Sequence, residues 1–388
     1  MKKIITTEKR PIKLWLDDPD QGTMDQARNL ANHPCTFMHV ALMPDCHTGY
    51  GMPIGGVVAT KEGIIPNAVG VDIGCGMCAL RTSLTDIDHN ILFQIISAVK
   101  AMIPRGHKWH GDKQPPWLTM REEQQYHNTI VEQEYENSLY QLGTLGGGNH
   151  FIEIQKGSDG YIWIMIHSGS RNIGKTVADY YNRLAISFNK DKNINIPKSW
   201  QLNYLPLESD QGQQYIKEMN SCVNFALKNR MHMMQCVKGV FEHYIRGVEF
   251  SNFINIAHNY ASMEEHFGEK VWVHRKGATS AREGETGIIP GSQGTQSFIV
   301  RGLGNPESFS SCSHGAGRKM GRRQAKRILD LNQEIQYMND RGIIHEISTS
   351  RDLDEAPSAY KDIKIVMENQ KDLVAILIEL SPLAVIKG

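Results

Sequence analysis

Apolar and polar positions divide the chain into short apolar runs, a few amphipathic stretches and glycine-rich punctuation. Tyr161-Ile-Trp-Ile-Met-Ile-His167 is a continuous apolar run between Gly160 and Gly169, the pattern of a strand buried on both faces. Phe151-Ile-Glu-Ile-Gln155 alternates, as a half-buried strand does. Residues 56–60, 79–82, 271–274, 297–300 and 372–380 are further strand candidates. A period near 3.6 residues appears twice. Leu92, Ile95 and Val99 predict a helix over 91–102. Ile216, Met219, Val223, Leu227, Met231 and Met234 predict a long one over 211–245. Polar or basic stretches at 122–142, 175–189 and 320–331 complete the predicted helices. Residues 43–55 and 67–78 crowd Pro, Asp and Gly together and read as loops. Residues 106–120, with His107, Trp109, His110, Pro115, Pro116 and Trp117, read as an irregular surface segment. No internal repeat or low-complexity linker separates these pieces. Chemistry-bearing segments run from residue 43 to the last residue, which favours one site assembled from a single domain over 1–388.

Composition narrows the classes. The 388 residues are 40% hydrophobic and 22% charged, ordinary for a globular protein. Lys+Arg and Asp+Glu each number 42, which excludes a strongly basic coat protein or an acidic tail but leaves room for a local basic patch. No apolar run approaches the roughly 18 residues of a membrane span, and the first residues lack the apolar core of a signal peptide. The expectation is a cytoplasmic protein. Seven cysteines, an odd number in a long chain, read as reduced thiols.

Four groups of residues carry candidate chemistry. Gly169-Ser-Arg-Asn-Ile-Gly-Lys-Thr176 matches the phosphate-binding pattern GxxxxGK[ST] between a strand and a helix. It lacks a second apolar strand ending in Asp to hold magnesium, so an ordinary strand-to-helix turn is the stronger reading. Cys75-Gly-Met-Cys78 could be half a zinc site or a redox pair, but no second cysteine pair follows and no helix starts there. Asp72 and Cys75 on one glycine-rich loop could instead converge on a borderline divalent ion. His47, His150, His167, His258 and His314 each stand near Gly, Asn or Ser at a predicted loop or strand end, whereas His127, His232, His243 and His266 lie in helical or polar stretches. The first five suggest a shared cleft. Finally, Ser313-His-Gly-Ala-Gly-Arg318 leads into Arg322, Arg323, Lys326 and Arg327. Glycines admit a phosphate, the basic face attracts it, and a histidine there could carry a phosphoryl or nucleotidyl group.

Taken together, these segments resemble the RtcB family of RNA-splicing ligases. The likeness rests on Met43-Pro-Asp-Cys-His-Thr-Gly-Tyr-Gly, Gly70-Val-Asp-Ile-Gly-Cys-Gly and Leu145-Gly-Gly-Gly-Asn-His-Phe. It continues through His167-Ser-Gly-Ser-Arg, Ala257-His-Asn, His274-Arg-Lys-Gly-Ala-Thr, Pro290-Gly-Ser-Gln-Gly-Thr, Ser313-His-Gly-Ala-Gly-Arg and Lys387. The resemblance implies an α+β fold with mixed β-sheets and surrounding helices forming a deep two-metal cleft. It implies two Mn2+ ions and GTP. By motif, Cys75 bridges the ions, His167 and His258 complete one site, and Asp72 and His150 the other. His314 attacks the α-phosphate of GTP and becomes a covalent histidine–GMP adduct. Asn149, Glu153, Asn259, Pro290, Gly291, Ser292, Ser297, Gly315, Tyr360 and Lys387 fall where the family holds the nucleotide. Arg171 and Arg318 would grip RNA phosphate, with Asp45 near the RNA 5′ end.

The implied reaction opens a 2′,3′-cyclic phosphate to a 3′-phosphate, moves GMP onto it, and lets a 5′-hydroxyl displace GMP. The sequence departs from the family pattern at Cys46, at Val71-Asp-Ile-Gly-Cys and at the extra Cys78, none of which removes an implied ligand. The resemblance implies a use in RNA repair or tRNA splicing, and the departures suggest a divergent member serving repair. The residues by themselves also admit a dinuclear metal phosphoesterase acting on nucleic acid, and less readily a P-loop NTPase or a non-catalytic RNA-end-binding protein. They say nothing of an activating partner.

Overall fold

The computed structural model describes residues 1–118 and 126–388. Among these residues, two large sheets carry the architecture. One has six strands in the order Lys3–Ile5, Ile12–Leu14, Thr36–Tyr50, Met52–Thr60, Glu269–Lys276, Asn259–His266. Its Ile12–Leu14 and Thr36–Tyr50 strands run parallel and the other pairs antiparallel, so the sheet is mixed. The other has seven antiparallel strands in the order Phe250–Ala257, Gly76–Thr82, Ile162–Ser168, Phe151–Gly157, Val374–Lys387, Ser297–Gly302, Thr286–Ile289. With helices packed around both, the fold is α+β, as expected.

The apolar runs follow their pattern in the main, although Met231 of the expected helix stripe is 52% exposed. Every residue of Ile162–Ser168 is buried. The helix Asp210–Tyr244 lays Met219, Cys222, Phe225, Ala226, Met233 and Val237 against the sheets and neighbouring helices, and Ser209 caps its start by accepting from the Gly212 N–H. Asp88 caps His89–Met102 in the same way.

Several expectations change. Residues 43–55 are not a loop. They form the end of Thr36–Tyr50 and the start of Met52–Thr60, with register shifts between Leu42 and His47 and between His47 and Tyr50. Bulges absorb the Pro and Gly that would break a regular ladder. In 67–78, a short helix Pro66–Val69 precedes the turn, and the strand already begins at Gly76. The basic helix of 320–331 is two helices, Arg322–Ile328 and Leu331–Asn339, separated where Asp330 caps the second. The last strand starts at Val374 and runs to Lys387, passing Pro382 by a register shift between Pro382 and Ala384. The polar helix of 122–142 spans Ile130–Gln141, and its expected first residues lie outside those described. The seven cysteines are unpaired. No described helix is long and apolar enough to cross a membrane.

Candidate metal and nucleotide centre

Sheet register gathers the site. Across the seven-stranded sheet, Ala257 pairs with Gly76 and Gly76 with Ser168, while His167 pairs with Phe151 and Phe151 with Lys387. His258 follows Ala257, Cys75 precedes Gly76 and His150 precedes Phe151, so these residues meet at one sheet edge. The close approach needs glycine. A Cβ on Gly169 would stand 2.1 Å from an Asp72 oxygen. Gly146 has φ +93°, and a Cβ there would stand 2.5 Å from His150 Nδ1.

Two clusters of ligand atoms result: Cys75, His167 and His258, and Asp72, Cys75 and His150. In each, the atoms lie within 4.8 Å of one another. Cys75 Sγ is 3.3 Å from His167 Nε2 and 3.5 Å from His150 Nε2. His167 Nε2 faces His258 Nε2 at 3.4 Å, and His150 Nε2 faces Asp72 Oδ2 at 3.1 Å.

The second nitrogens fix the tautomers. His150 Nδ1 meets the Leu145 carbonyl at 2.8 Å and His167 Nδ1 meets the Asn149 carbonyl at 3.1 Å. A carbonyl only accepts, so both rings carry a proton on Nδ1. A neutral His150 therefore aims a lone pair at a carboxylate, which is favourable only with a second proton or a cation between the two. His258 Nδ1 is buried with no partner.

Burial shapes the charges. It drives His167 and His258 well below the usual imidazole range, helped by the neighbouring imidazoles, which keeps both in the neutral form that ligates metal. Burial and the adjacent Asp72 push the Cys75 thiol far up. Burial opposes ionisation of Asp72, but the bond and charge of His150, the Cys75 bond and the Arg171 charge hold it at about 2. A thiol, a carboxylate and three imidazoles in contact suit a pair of borderline divalent ions sharing the sulfur.

Below these clusters lies Arg230, fully buried. It donates to the carbonyls of Gly74 at 3.0 Å, Ser168 at 2.8 Å and Ile256 at 3.1 Å, and to Asn255 Oδ1 at 2.8 Å. Gly74 and Ser168 are the neighbours of Cys75 and His167, and Ile256 is two residues before His258.

The clusters border a cavity of about 630 Å³. Asn149, Glu153, Pro290, Gly291, Ser292, Gly315, Arg318, Tyr360 and Lys387 line it, together with His167 and His314. The His314 ring stands 4.8 Å, centre to centre, from that of His258. Its Nδ1 donates to Asp45 Oδ2 at 2.6 Å and its backbone N–H to the same oxygen at 3.1 Å. Glu153 is buried, which pushes its carboxyl up to about 8 against the opposing effects of Lys387 and the Gln155 amide.

Asp45, Ser297, Asn259 and Arg171 stand outside that lining, while Arg318 belongs to it. Asp45 has no exposed area and sits under His314. Ser297 is buried and accepts from the Gly291 N–H at 3.2 Å. Asn259 donates to the Asp72 carbonyl at 3.0 Å and accepts from the Gly277 N–H at 2.7 Å. Arg171 donates to Thr144 Oγ1 at 3.0 Å and the Gly106 carbonyl at 2.7 Å. Arg318 donates to the carbonyls of Met320 at 3.0 Å and Asp354 at 2.6 Å. Both guanidinium groups thus hold backbone.

The competing motifs dissolve. Lys175 lies on the exposed side of the helix Arg171–Asp191 and pairs with Asp179 at 2.5 Å, and Gly174 packs on Ser170, so residues 169–176 form no phosphate cradle. Cys78 sits in the apolar core beside Ile95 and Ile164, away from Cys75. His47, which is not among the implied ligands, lines the cavity with Thr48 and Asp20. Arg230 and Glu355 carry no signal in the sequence, whereas Arg322 does, through its place on the basic face after the glycine turn.

Comparisons with known proteins point to one family. The family model described as tRNA-splicing ligase RtcB matches residues 26–388. The RNA-splicing ligase RtcB of Escherichia coli (strain K12) is 40% identical, over 100% of this chain and 99% of its own length. The tRNA-splicing ligases RtcB of Nanoarchaeum equitans and Thermococcus kodakarensis are 32% and 31% identical, each over 97% of this chain and 95% of their own length. The chain, with its paired ligand clusters beside a histidine-bearing cavity, belongs to the RtcB family.

Proposed function

We propose that this chain is a ligase that joins an RNA 3′-phosphate or 2′,3′-cyclic-phosphate end to a 5′-hydroxyl end, using GTP and Mn2+. The observation that carries the reading is His314, pinned by Asp45 through Nδ1 at the cavity wall, with its ring against that of the ligand His258. Fixing the proton on Nδ1 leaves the Nε2 lone pair as the nucleophile. Asp45 also stabilises the positive charge that grows on the ring as Nε2 forms a bond to phosphorus, the part a buried carboxylate plays behind a catalytic histidine.

Cys75 would be shared between two ions, with His167 and His258 on one side and Asp72 and His150 on the other. When bound, the ions supply neutralisation of the phosphate oxygens. In this reading Nε2 of His314 attacks the α-phosphorus of GTP and pyrophosphate leaves. The GMP group then passes to the RNA 3′-phosphate, and His314 regains its lone pair. The 5′-hydroxyl attacks the activated phosphate and GMP departs. Glu153 offers a carboxyl to the adjacent donors of guanine, and Lys387 stands across from it. Asn149, Pro290, Gly291, Ser292, Gly315 and Tyr360 shape the nucleotide pocket, with Ser297 and Asn259 bracing it from behind. Arg171 and Arg318 contribute positive charge for the RNA phosphate while holding backbone. Residues 45 to 387 all contribute, so the chain works as one unit.

A phosphoesterase would need the same ligands but not a histidine pinned for attack. The test is joining of two RNA oligonucleotides, one ending in a 3′-phosphate and one beginning with a 5′-hydroxyl. Joining should require both GTP and manganese and be lost in His314→Ala. Cleavage without joining, unaffected by that substitution, would favour the phosphoesterase.

A further inference from the structure

Glu355 lies on the cavity wall and has no part in the chemistry above. Asp352-Leu-Asp-Glu355 reads as an acidic surface turn, yet the Glu355 side chain is only 6% exposed. Its Oε1 accepts from Arg318 Nη1 at 3.2 Å and from Arg322 Nε at 3.0 Å. Its Oε2 accepts from the Tyr360 hydroxyl and stands 3.7 Å from Lys387 Nζ. One carboxylate thus gives one oxygen to two arginines and the other to two residues of the nucleotide pocket.

The two arginines are unlike. Arg318 stacks on the Tyr360 ring at 5.1 Å and spends its donors on Met320, Asp354, Glu355 and Tyr360. Arg322 is half exposed, and of its nitrogens only Nε is bonded to Glu355. Arg322 lines the cavity, and its terminal amino groups stand against Gly148, where an added Cβ would be 2.7 Å from Nη2. That open edge matches the two oxygens a phosphate presents to a guanidinium.

We propose that Glu355 is a positioning residue that spaces two anion subsites, holding Tyr360 and Lys387 for the nucleotide and turning the free edge of Arg322 toward the terminal phosphate of the RNA. The inference rests on the ligase reading above for the identity of the two ligands. A carboxylate here could instead be a placeholder, an anion that repels phosphate until displaced. The two roles differ in sign. Loss of a positioning residue weakens both ligands, and loss of a repelling anion tightens them.

The experiment compares wild type with Glu355→Gln, which keeps the shape but lets only one of the two pairs find an acceptor oxygen. Binding is measured with manganese present for a GTP analogue whose α,β bridge cannot be cleaved. It is measured separately for an RNA oligonucleotide with a 3′-phosphate and for the same RNA with a 3′-hydroxyl. Positioning predicts roughly tenfold weaker binding of the analogue and of the 3′-phosphate RNA, the scale of one loosened charge-assisted contact. The 3′-hydroxyl RNA should bind as to wild type, the melting temperature should stay within about 2 °C, and Glu355→Asp should restore part of both affinities. Unchanged or tighter binding overturns the proposal, as does weakening that extends to the 3′-hydroxyl RNA with a fall in melting temperature. If wild type binds neither ligand, the ligase reading fails and the proposal with it. If wild type binds both and Glu355→Gln equals it, the proposal fails alone.

Discussion

Replacing Arg230 by Met should damage the fold and the metal centre together. The guanidinium is fully buried and makes four hydrogen bonds, to the carbonyls of Gly74, Ser168 and Ile256 and to Asn255 Oδ1. Methionine fills similar space and satisfies none of them. A buried acceptor left unpaired costs about 1–3 kcal/mol, so four give roughly 4–12 kcal/mol as an upper bound. Against this, burial of the cation is itself unfavourable and already pulls the Arg230 pKa down. Removing the charge returns several kcal/mol. The net loss should be about 3–5 kcal/mol, the balance of the unpaired acceptors against the relief of the buried charge. At about 2 °C per kcal/mol, the melting temperature should fall roughly 6–10 °C.

The bonded carbonyls lie within two residues of Cys75, His167 and His258, so the ligands should also lose their spacing. Melting of the chelated protein measures the fold, and manganese titration of the intact protein measures the centre. Arg230→Lys, with three donors, should recover part of each. If Arg230→Met melts like wild type and binds manganese equally well, the guanidinium is not what holds these strand ends together.

Four further outcomes follow. Asp45→Asn should slow formation of the protein–GMP adduct by about 10²–10³-fold, because the amide cannot hold the Nδ1 proton and a positive ring as a carboxylate does; single-turnover labelling reads it, and a near-normal rate would remove Asp45 from the mechanism. Chelation should lower the melting temperature of wild type but leave Cys75→Ala unmoved, since that variant lacks the shared ligand; an equal shift in both would place the stabilising metal elsewhere. Lys175→Ala should form the adduct at the wild-type rate, because the side chain pairs with Asp179 on an exposed helix face; loss of labelling would revive a phosphate-binding role for residues 169–176.

The fourth concerns acid. Burial opposes ionisation of Glu264, but Arg275, His266 and Ser262 hold its pKa far below the ordinary 4.5. A depressed carboxyl contributes stability that is fully present above the unfolded value and is lost as pH falls below it. Glu264→Gln should therefore flatten the fall in stability from pH 5 downward in chemical denaturation. An unchanged slope would mean that the Glu264–Arg275 pair is not a source of the acid sensitivity.

Part of the candidate centre was legible because His150, His167 and His258 each stand beside Asn or Ser at a strand end. The buried strand carrying His167 announces itself as an unbroken apolar run. The hairpin at 43–55 was not legible. Its Pro, Asp and Gly signal a turn, and only the paired strand reveals that bulges keep it in a sheet. Asp45 was legible as a motif residue, but its pairing with His314, 269 positions away, was not. Arg230 and Glu355 were hidden for the same reason. One reads as a helix arginine and the other as a surface acid until distant segments close over them. Periodicity reports which face of an element is buried and nothing about which polar groups that face will meet.

The most direct test uses purified protein, manganese and GTP labelled at the α-phosphate. The account predicts label that stays with denatured protein, is labile to acid and stable to alkali, and is absent from His314→Ala. Metal-loaded wild type that acquires no label, or label that persists in His314→Ala, would contradict the assignment of His314 as the nucleophile.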